Sequence, residues 1–165
     1  MLNIQKIFEA QDKFDRKVVE VHGQEGKSLT GDVTHAFYVE VSELANEIEY
    51  FKYWKKNKRN NKEKQRDEWA DCIHFIASIG NKYGFSHDIP HNAFWVNYVG
   101  RQADKTYYEL FDKIRENSLD MHANYYCVFA SLIAIGEKIG MTYKDMEKAY
   151  FEKNQVNYDR LASGY

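Results

Sequence analysis

The sequence predicts an all-α protein, a bundle of about six helices. Apolar residues recur at helical spacing in nearly every segment, and no stretch alternates apolar and polar residues as a strand would. The composition agrees, since the 165 residues include 44% hydrophobic residues and a single proline. A chain of this length fits one domain with a sizeable core, so we expect residues 1–165 to form a single all-α domain.

The first half of the chain predicts three helices. The first, over about 3–22, carries an apolar stripe of Ile4, Ile7, Phe8, Val18 and Val21. The second, over about 34–56, carries a stripe of Phe37, Val41, Leu44, Ile48 and Phe51. The third, over about 62–83, ends before Gly84, a residue type that often terminates helices. The interval 55–67 has seven Lys or Arg among thirteen residues and is interpreted as a solvated connection.

The second half predicts three more helices after a loop at 85–94, over about 102–117, 119–139 and from 142 onward. The apolar run 125–136 is too short to span a membrane and is interpreted as a central core helix. Thr142 is a predicted N-cap, with Asp145 three residues later. Residues 154–165 lose the periodicity, which predicts either a solvated terminus or a tail that closes over the active site.

Charge and cysteine content limit the function classes. The formal net charge of -2 argues against a nucleic-acid binder, because such domains are usually strongly basic. Cys72 and Cys127 lie in apolar helical stretches, where free thiols behave as small hydrophobes, and this favours a reducing cytoplasm. The first residues are charged throughout, so no signal peptide and no membrane attachment is expected.

Carboxylates border the predicted core on two consecutive helices. Glu40, Glu43 and Glu47 follow one another at one-turn intervals beside the apolar stripe of the second helix, although like charges at this spacing repel. Glu68 falls inside the apolar face of the third helix and Asp71 at its margin. A single Glu is usually just solvated, but the doubled pattern favours a metal site. Oxygen-only ligands suit Mg²⁺, which commonly binds substrate phosphates as well.

Two polar residues fall in the middle of the apolar stripe of the first helix, namely Gln11 and Asp15. Buried amide and carboxylate groups need hydrogen-bond partners. One interpretation makes them core groups bonded to other helices, and the other makes them readers of the edge of a base. The residues alone leave both open.

Several motifs resemble one family. "EVSE" at 40–43 and "EWAD" at 68–71 resemble the E-x-x-E and E-x-x-D signature of the all-α nucleoside triphosphate pyrophosphatases. "QDKFD" at 11–15, "FKYW" at 51–54 and "KNQVNYDRLASGY" at 153–165 are similar to segments of its dimeric dUTPase branch. Two positions depart from that pattern, because Asp15 stands where Asn is commoner and Leu161 where Gln is frequent.

The resemblance implies an enzyme that hydrolyses dUTP, and also dUDP, with two or more Mg²⁺ ions. The resemblance implies four metal ligands, namely Glu40, Glu43, Glu68 and Asp71. It also implies six substrate-binding residues, namely Gln11, Asp15, Trp54, Lys153, Asn157 and Arg160. Glu40 and Glu43 would be catalytic, with Glu43 activating the attacking water, and Glu47 would support the ligands from behind. Trp54, projected onto the carboxylate arc of the second helix, would wall the nucleoside pocket.

The resemblance also implies a homodimer, and the apolar helix at 119–139 is the candidate interface. A MazG-like or dCTP-directed pyrophosphatase is the alternative enzyme. A different class is a regulatory protein that engages a protein partner through its nucleotide pocket or its lysine-rich loop.

Overall fold

The computed structural model describes residues 2–87 and 94–164. Over these ranges it contains six α-helices and no strand, which confirms the all-α prediction. The helices are α1 (Ile4–Val21), α2 (Thr30–Ile48), α3 (Lys62–Lys82), α4 (Tyr107–Glu116), α5 (His122–Lys138) and α6 (Tyr143–Ala162). Among the described residues, no helix combines the length and hydropathy needed to cross a membrane.

Capping side chains decide where several helices begin. Thr142 and Asp145 form a capping box at the start of α6, as predicted. Thr106 and Glu109 form another at the start of α4, so this helix begins at Tyr107 and the predicted start at 102 is wrong. The chain before Thr106 instead makes a short π-helical segment, Trp95–Val99, and a 3-10 turn, neither of which the sequence indicated. Of the predicted loop at 85–94, residues 88–93 lie outside the described part of the chain.

The second helix is shorter than predicted. It ends at Ile48 rather than near residue 56, because Glu49 adopts the left-handed backbone conformation, with φ of 58°. The chain then turns sharply, and residues 49–61 connect α2 to α3.

Three basic side chains surround the buried carboxylate of Glu49. Lys55 Nζ lies 2.6 Å from Glu49 Oε1, Arg59 Nε 2.9 Å and Lys52 Nζ 3.1 Å. The backbone N–H of Arg59 donates to the other oxygen at 2.7 Å. These contacts lower the pKa of Glu49, first through Lys55. Lys55 and Arg59 are thus organised around a buried anion, while residues 56–64 are exposed, as expected for a solvated connection.

Helix α5 lies at the centre of the core. Its residues from Tyr125 to Gly136 are buried by the rest of the same chain, apart from Cys127 at intermediate exposure. The hydroxyl of Tyr125 donates to the carbonyl of Ile76 on α3 at 2.8 Å. The core-helix prediction is thus confirmed. The proposal that 119–139 offers a dimer interface is wrong, because this apolar surface is already covered.

The C-terminal segment is helical. Helix α6 continues through Ala162, so the loss of periodicity after residue 154 does not mark the end of the helix. Tyr158 packs edge-on against Phe14 of α1, with ring centroids 4.9 Å apart. This contact fixes the last turns of α6 beside the first helix.

Substitution of Gly80 tests how closely α3 approaches its neighbours. A Cβ at this position would overlap the side chain of Tyr125 and would lie 2.8 Å from a ring carbon of Phe8. We expect Gly80→Ala to lower the free energy of unfolding by about 1–3 kcal/mol, the usual range for overpacking a core. Gly31→Ala is the matched control, since a Cβ there meets nothing within 4 Å. Urea unfolding that gives equal stabilities for the two variants would contradict this close packing.

Candidate active site

Three carboxylates from two adjacent helices converge. Glu40 lies on α2, and Glu68 and Asp71 lie one turn apart on α3, the helix against which α2 packs. One oxygen from each lies within 4.8 Å of the others. Glu68 is buried, and the other two are half-buried. Such a spacing suits a shared divalent cation, because three anionic groups at this distance otherwise repel.

The electrostatics of the cluster follow from this crowding. Burial, followed by the neighbouring carboxylates of Asp71, Glu43 and Glu68 in that order, raises the pKa of Glu40 to about 7, while Lys153 opposes the shift. Burial also raises the pKa of Asp71, while Lys153 opposes the shift. A cation at this point would favour the ionised form of both groups.

Two lysines pair with the carboxylates on α3. Lys153, on α6, lies 2.6 Å from Asp71 Oδ2 and 2.9 Å from Asp67 Oδ1. Lys64 lies 2.5 Å from Glu68 Oε1. The substrate-binding prediction for Lys153 therefore falls on a residue that contacts a predicted metal ligand directly. The sequence analysis assigned no role to Lys64 or Asp67.

Glu43 and Glu47 lie further along α2, outside the group of three. Glu43 is exposed, although its charge reaches Glu40. Glu47 pairs with Arg59, whose Nη1 lies 3.0 Å from Glu47 Oε1. The backbone carbonyl of Glu47 also accepts a hydrogen bond from Gln65 of α3. Glu47 thus links α2 to the connection and to α3.

A cleft of about 400 Å³ opens beside the cluster. Two of the carboxylates, Glu40 and Asp71, form part of its wall. It also contains the predicted base readers and two of the predicted tail residues. Its polar lining comprises Gln11, Asp15, His22, His74, Ser78, Asn157 and Arg160, and its apolar lining comprises Phe14, Val18, Val33, Phe75 and Leu161. The structure therefore brings together groups that are as much as 150 positions apart in the sequence, from residue 11 to residue 161.

Gln11 and Asp15 belong to a polar network within the helices. Gln11 Nε2 donates to Asp15 Oδ1 at 2.7 Å, and Ser78 Oγ donates to Asp15 Oδ2 at 2.5 Å. Gln11 Oε1 lies 2.6 Å from His74 Nδ1 and 3.1 Å from the hydroxyl of Tyr150. The interpretation as core groups bonded to other helices is confirmed, and the role of Gln11 and Asp15 as base readers stays a prediction, with both residues lining the cleft.

Trp54 does not line this cleft. Its projection onto the carboxylate arc assumed that α2 continues, whereas the chain has already turned at Glu49, and the Trp54 side chain is 62% exposed. The structure thus contradicts the projection of Trp54 onto the carboxylate arc, and its contact with the nucleoside stays a prediction.

Sequence reasoning missed Ser78, His74 and Tyr150. His74 and Ser78 follow Asp71 at positions i+3 and i+7 of α3, so helical spacing could have placed them on the same face. Tyr150 had no such signal, because its position depends on how α6 packs against α1 and α3.

A bundle of this kind, with E-x-x-E and E-x-x-D helices side by side and a polar cleft next to them, has the architecture of the all-α nucleoside triphosphate pyrophosphatases. The chain belongs to the dUTPase family, in its dimeric all-α branch, since the family model for dUTPase matches residues 3–165. It is accordingly a dUTP diphosphatase, a pyrophosphohydrolase. A search of curated proteins gave no match.

The raised pKa of Glu40 predicts a pH-dependent stability in protein stripped of divalent cations. The folded state keeps a proton on Glu40 up to about pH 7, whereas the unfolded chain releases it near the ordinary value of 4.5. The Glu40 contribution to the free energy of unfolding therefore falls as the pH rises from 4.5 to 7.

This contribution can be isolated by comparing two variants. Glu40→Gln removes the titrating group, so the difference in stability between this variant and the parent should change across that pH window. Glu25→Gln, at an exposed glutamate, is the control. Denaturant unfolding at several pH values in EDTA gives the free energy of unfolding of the parent and of each variant. The raised pKa of Glu40 would be contradicted if this free energy changed with pH in the same way for the parent and for Glu40→Gln.

Proposed function

We propose that this dUTPase converts dUTP to dUMP and pyrophosphate, and also accepts dUDP, with two or more Mg²⁺ ions bound by Glu40, Glu43, Glu68 and Asp71. The observation that carries the proposal is the convergence of Glu40, Glu68 and Asp71 beside a polar cleft. In this proposal the nucleoside would occupy the cleft of about 400 Å³, and the triphosphate would extend from it toward the carboxylates.

The donor set fits Mg²⁺. All the candidate ligands are carboxylate oxygens, which hard divalent cations prefer. The raised pKa of Glu40 and Asp71 fits as well, because groups that lack full compensation for their charge gain from a cation. When bound, the metal would lower the pKa of water and offset charge on the phosphates.

Side chains of the protein would activate the attacking water and hold α2 in place. We assign Glu43 to orient and deprotonate the attacking water, because it is the exposed carboxylate one turn from Glu40 and can reach the site from the solvent side. Glu40 would share this role. Glu47 would hold the C-terminal end of α2 in place through its contacts with Arg59 and Gln65.

The C-terminal part of α6 would bind the substrate. Lys153 and Arg160 carry the positive charge that phosphate oxygens need, and Asn157 offers both a donor and an acceptor to the base. Asn157 and Arg160 line the cleft, and Lys153 stands beside the carboxylates. Residues 154–164 would then act as a wall that closes one side of the active site. We place the reaction in the cytoplasm, where both cysteines would remain free thiols.

The first experiment measures pyrophosphate release from dUTP, dCTP, dTTP, dATP, dGTP and UTP, and phosphate release from dUDP, with Mg²⁺ and with EDTA. We expect turnover that requires Mg²⁺ and strongly favours dUTP, with dUDP cleaved to phosphate and dUMP. A preference for dCTP or a broad MazG-like profile would overturn the assigned substrate. Tight nucleotide binding without turnover would instead support a regulatory protein.

Substitution of the carboxylates tests the metal site. We expect Glu40→Gln, Glu68→Gln and Asp71→Asn each to lower kcat by on the order of a hundredfold or more, because loss of a ligand should exceed the effect of losing a supporting contact. Direct measurement of Mg²⁺ affinity should show weaker binding in each. Glu116→Gln, an exposed change on α4, is the control and should leave both quantities unchanged.

Glu43 requires a separate comparison, because it lies outside the group of three. We expect Glu43→Gln to lower kcat by at least about a hundredfold, the smaller end of general-base effects, and to weaken Mg²⁺ binding less than Glu68→Gln does. Ser42→Ala, at the exposed neighbouring position, is the control. Turnover of Glu43→Gln at the parental rate would remove Glu43 from the mechanism.

We also propose a homodimer, formed by the exposed side of α2 and the turn that follows it. Helix α2 packs chiefly on α3, and its outer side exposes Val39, which is 54% accessible. Tyr53 and Trp54, in the turn after α2, are 90% and 62% accessible. Exposed apolar side chains of this size commonly mark an interface.

Light scattering at micromolar concentration tests the dimer. We expect twice the chain mass for the parent and a shift toward the monomer for Val39→Glu, because the change buries a charge in the interface. Val96→Glu is the matched control, since Val96 is exposed elsewhere, in the π-helical segment. A monomeric parent, or equal effects of the two variants, would contradict the proposed interface.

A further inference from the structure

Asp67 lies between two lysines beside the three converging carboxylates. Its Oδ1 accepts a hydrogen bond from Lys153 Nζ at 2.9 Å, and its Oδ2 lies 3.6 Å from Lys64 Nζ. Each lysine also contacts one predicted metal ligand. Lys153 Nζ lies 2.6 Å from Asp71 Oδ2, and Lys64 Nζ lies 2.5 Å from Glu68 Oε1. Five groups of alternating charge thus follow one another, and we call them the ion-pair chain: Glu68, Lys64, Asp67, Lys153 and Asp71.

The ends of the ion-pair chain are more buried than its middle. The side chains of the metal ligands Glu68 and Asp71 are 5% and 18% exposed, whereas that of Asp67 is 43% exposed. Ion pairs at the buried ends are strengthened by the low local dielectric, while water partly screens the middle. Without Asp67, both lysines would therefore pair more closely with the metal ligands.

A divalent cation has to share its ligands with these lysines. An ammonium group close to a carboxylate repels a metal ion that approaches the same carboxylate, and so weakens metal binding. Asp67 opposes this competition, because it offers a further carboxylate oxygen to each lysine. It also gives Lys153 a partner that remains when Asp71 binds the cation.

We propose that Asp67 is a positioning residue of the metal site, which holds Lys64 and Lys153 in place and thereby leaves Glu68 and Asp71 able to bind a divalent cation. The same contact keeps the Lys153 ammonium beside the cluster, where a phosphate would meet the metal. The inference rests on the proposed function for the identity of the cation and for the phosphate contact of Lys153.

The first test measures Mg²⁺ binding to the whole protein by calorimetry, without nucleotide. We expect Asp67→Asn to weaken Mg²⁺ binding by about tenfold, the lower end of the effects of losing a group that supports a metal ligand. Glu63→Gln is the matched control, since it removes an exposed carboxylate one turn earlier on α3 and outside the ion-pair chain. The control should change the affinity by less than about threefold, because water and salt screen an exposed charge.

A double-mutant cycle separates the ion-pair chain from a general effect of charge. Lys64→Gln releases Glu68 and should tighten Mg²⁺ binding by about threefold or more, because one competing cation is gone. Arg66→Gln, which removes an exposed cation from the same helix, should have a smaller effect. In the Lys64→Gln background, Asp67→Asn should cost at most about threefold, since one of the two lysines that Asp67 holds is absent.

Turnover reports the other link, from Asp67 to Lys153. At saturating Mg²⁺, Asp67→Asn should raise the KM for dUTP by about fivefold with kcat within about twofold, because a displaced Lys153 weakens binding of the phosphates before the chemical step. Asp67→Glu keeps the carboxylate and should return both the KM and the Mg²⁺ affinity to within about twofold of the parent.

The outcomes separate this inference from the proposed function. Equal effects of Asp67→Asn and Glu63→Gln on Mg²⁺ affinity, or an equal cost of Asp67→Asn with and without Lys64, would overturn the positioning role. Hydrolysis of dUTP together with either result would retain the proposed function. Coupled effects on Mg²⁺ affinity without hydrolysis of dUTP would do the reverse. A parent that binds no Mg²⁺ would overturn the proposed metal site and this inference with it.

Discussion

The mutual repulsion of Glu40, Glu68 and Asp71 is the constraint on which the rest of the structure depends. Packing α2 against α3 buries a large apolar surface and at the same time places like charges within a few ångströms. The folded chain tolerates this because Lys64 and Lys153 pair with two of the three carboxylates and Glu40 retains its proton to higher pH. The repulsion among the three carboxylates therefore lowers the stability of the fold, and a divalent cation bound between them would reduce that repulsion.

Neutral polar groups beside the cleft also find partners within the bundle. Gln11, His74 and Tyr150 satisfy one another inside the bundle, where unpaired polar atoms would be costly. At the wall of the cleft the network ends at Asp15, whose carboxylate accepts hydrogen bonds from Gln11 and Ser78. The polar core and the cleft are in this way continuous, so changes in packing around α6 should reach the wall of the cleft.

Much of the fold could be predicted because it follows from local periodicity. The apolar stripes of α1 and α3 and the capping box at Thr142 depend on residues a few positions apart. The end of α2 could not be found in this way, because periodicity continues past Ile48 while Glu49 turns the chain to meet basic residues as far away as Arg59. The prediction that the central helix α5 forms a dimer interface was wrong for a related reason. An apolar helix looks the same in sequence whether its own chain or a partner covers it.

The active-site predictions also depend on whether the signal lies in nearby or in distant residues. The carboxylates of α2 and α3 could be predicted because two short motifs carry them, and Gln11 and Asp15 because they interrupt an apolar stripe. The pairing of Lys153 with Asp67 and Asp71 spans more than eighty positions and has no local signature. Trp54 was misplaced because a helix was extrapolated through the turn.

Glu49 also limits which sequences this fold can accept. Its left-handed backbone favours Gly, Asn or Asp, while the cations around it require an acidic side chain that reaches them. Glycine at position 49 would remove the backbone strain but would leave the three cations without their common partner. Glutamine would keep the length of the side chain but would lose its negative charge. Glutamate meets the electrostatic requirement at the expense of the backbone. Position 49 should therefore tolerate few residue types, although residues 56–61 of the same connection are exposed and polar.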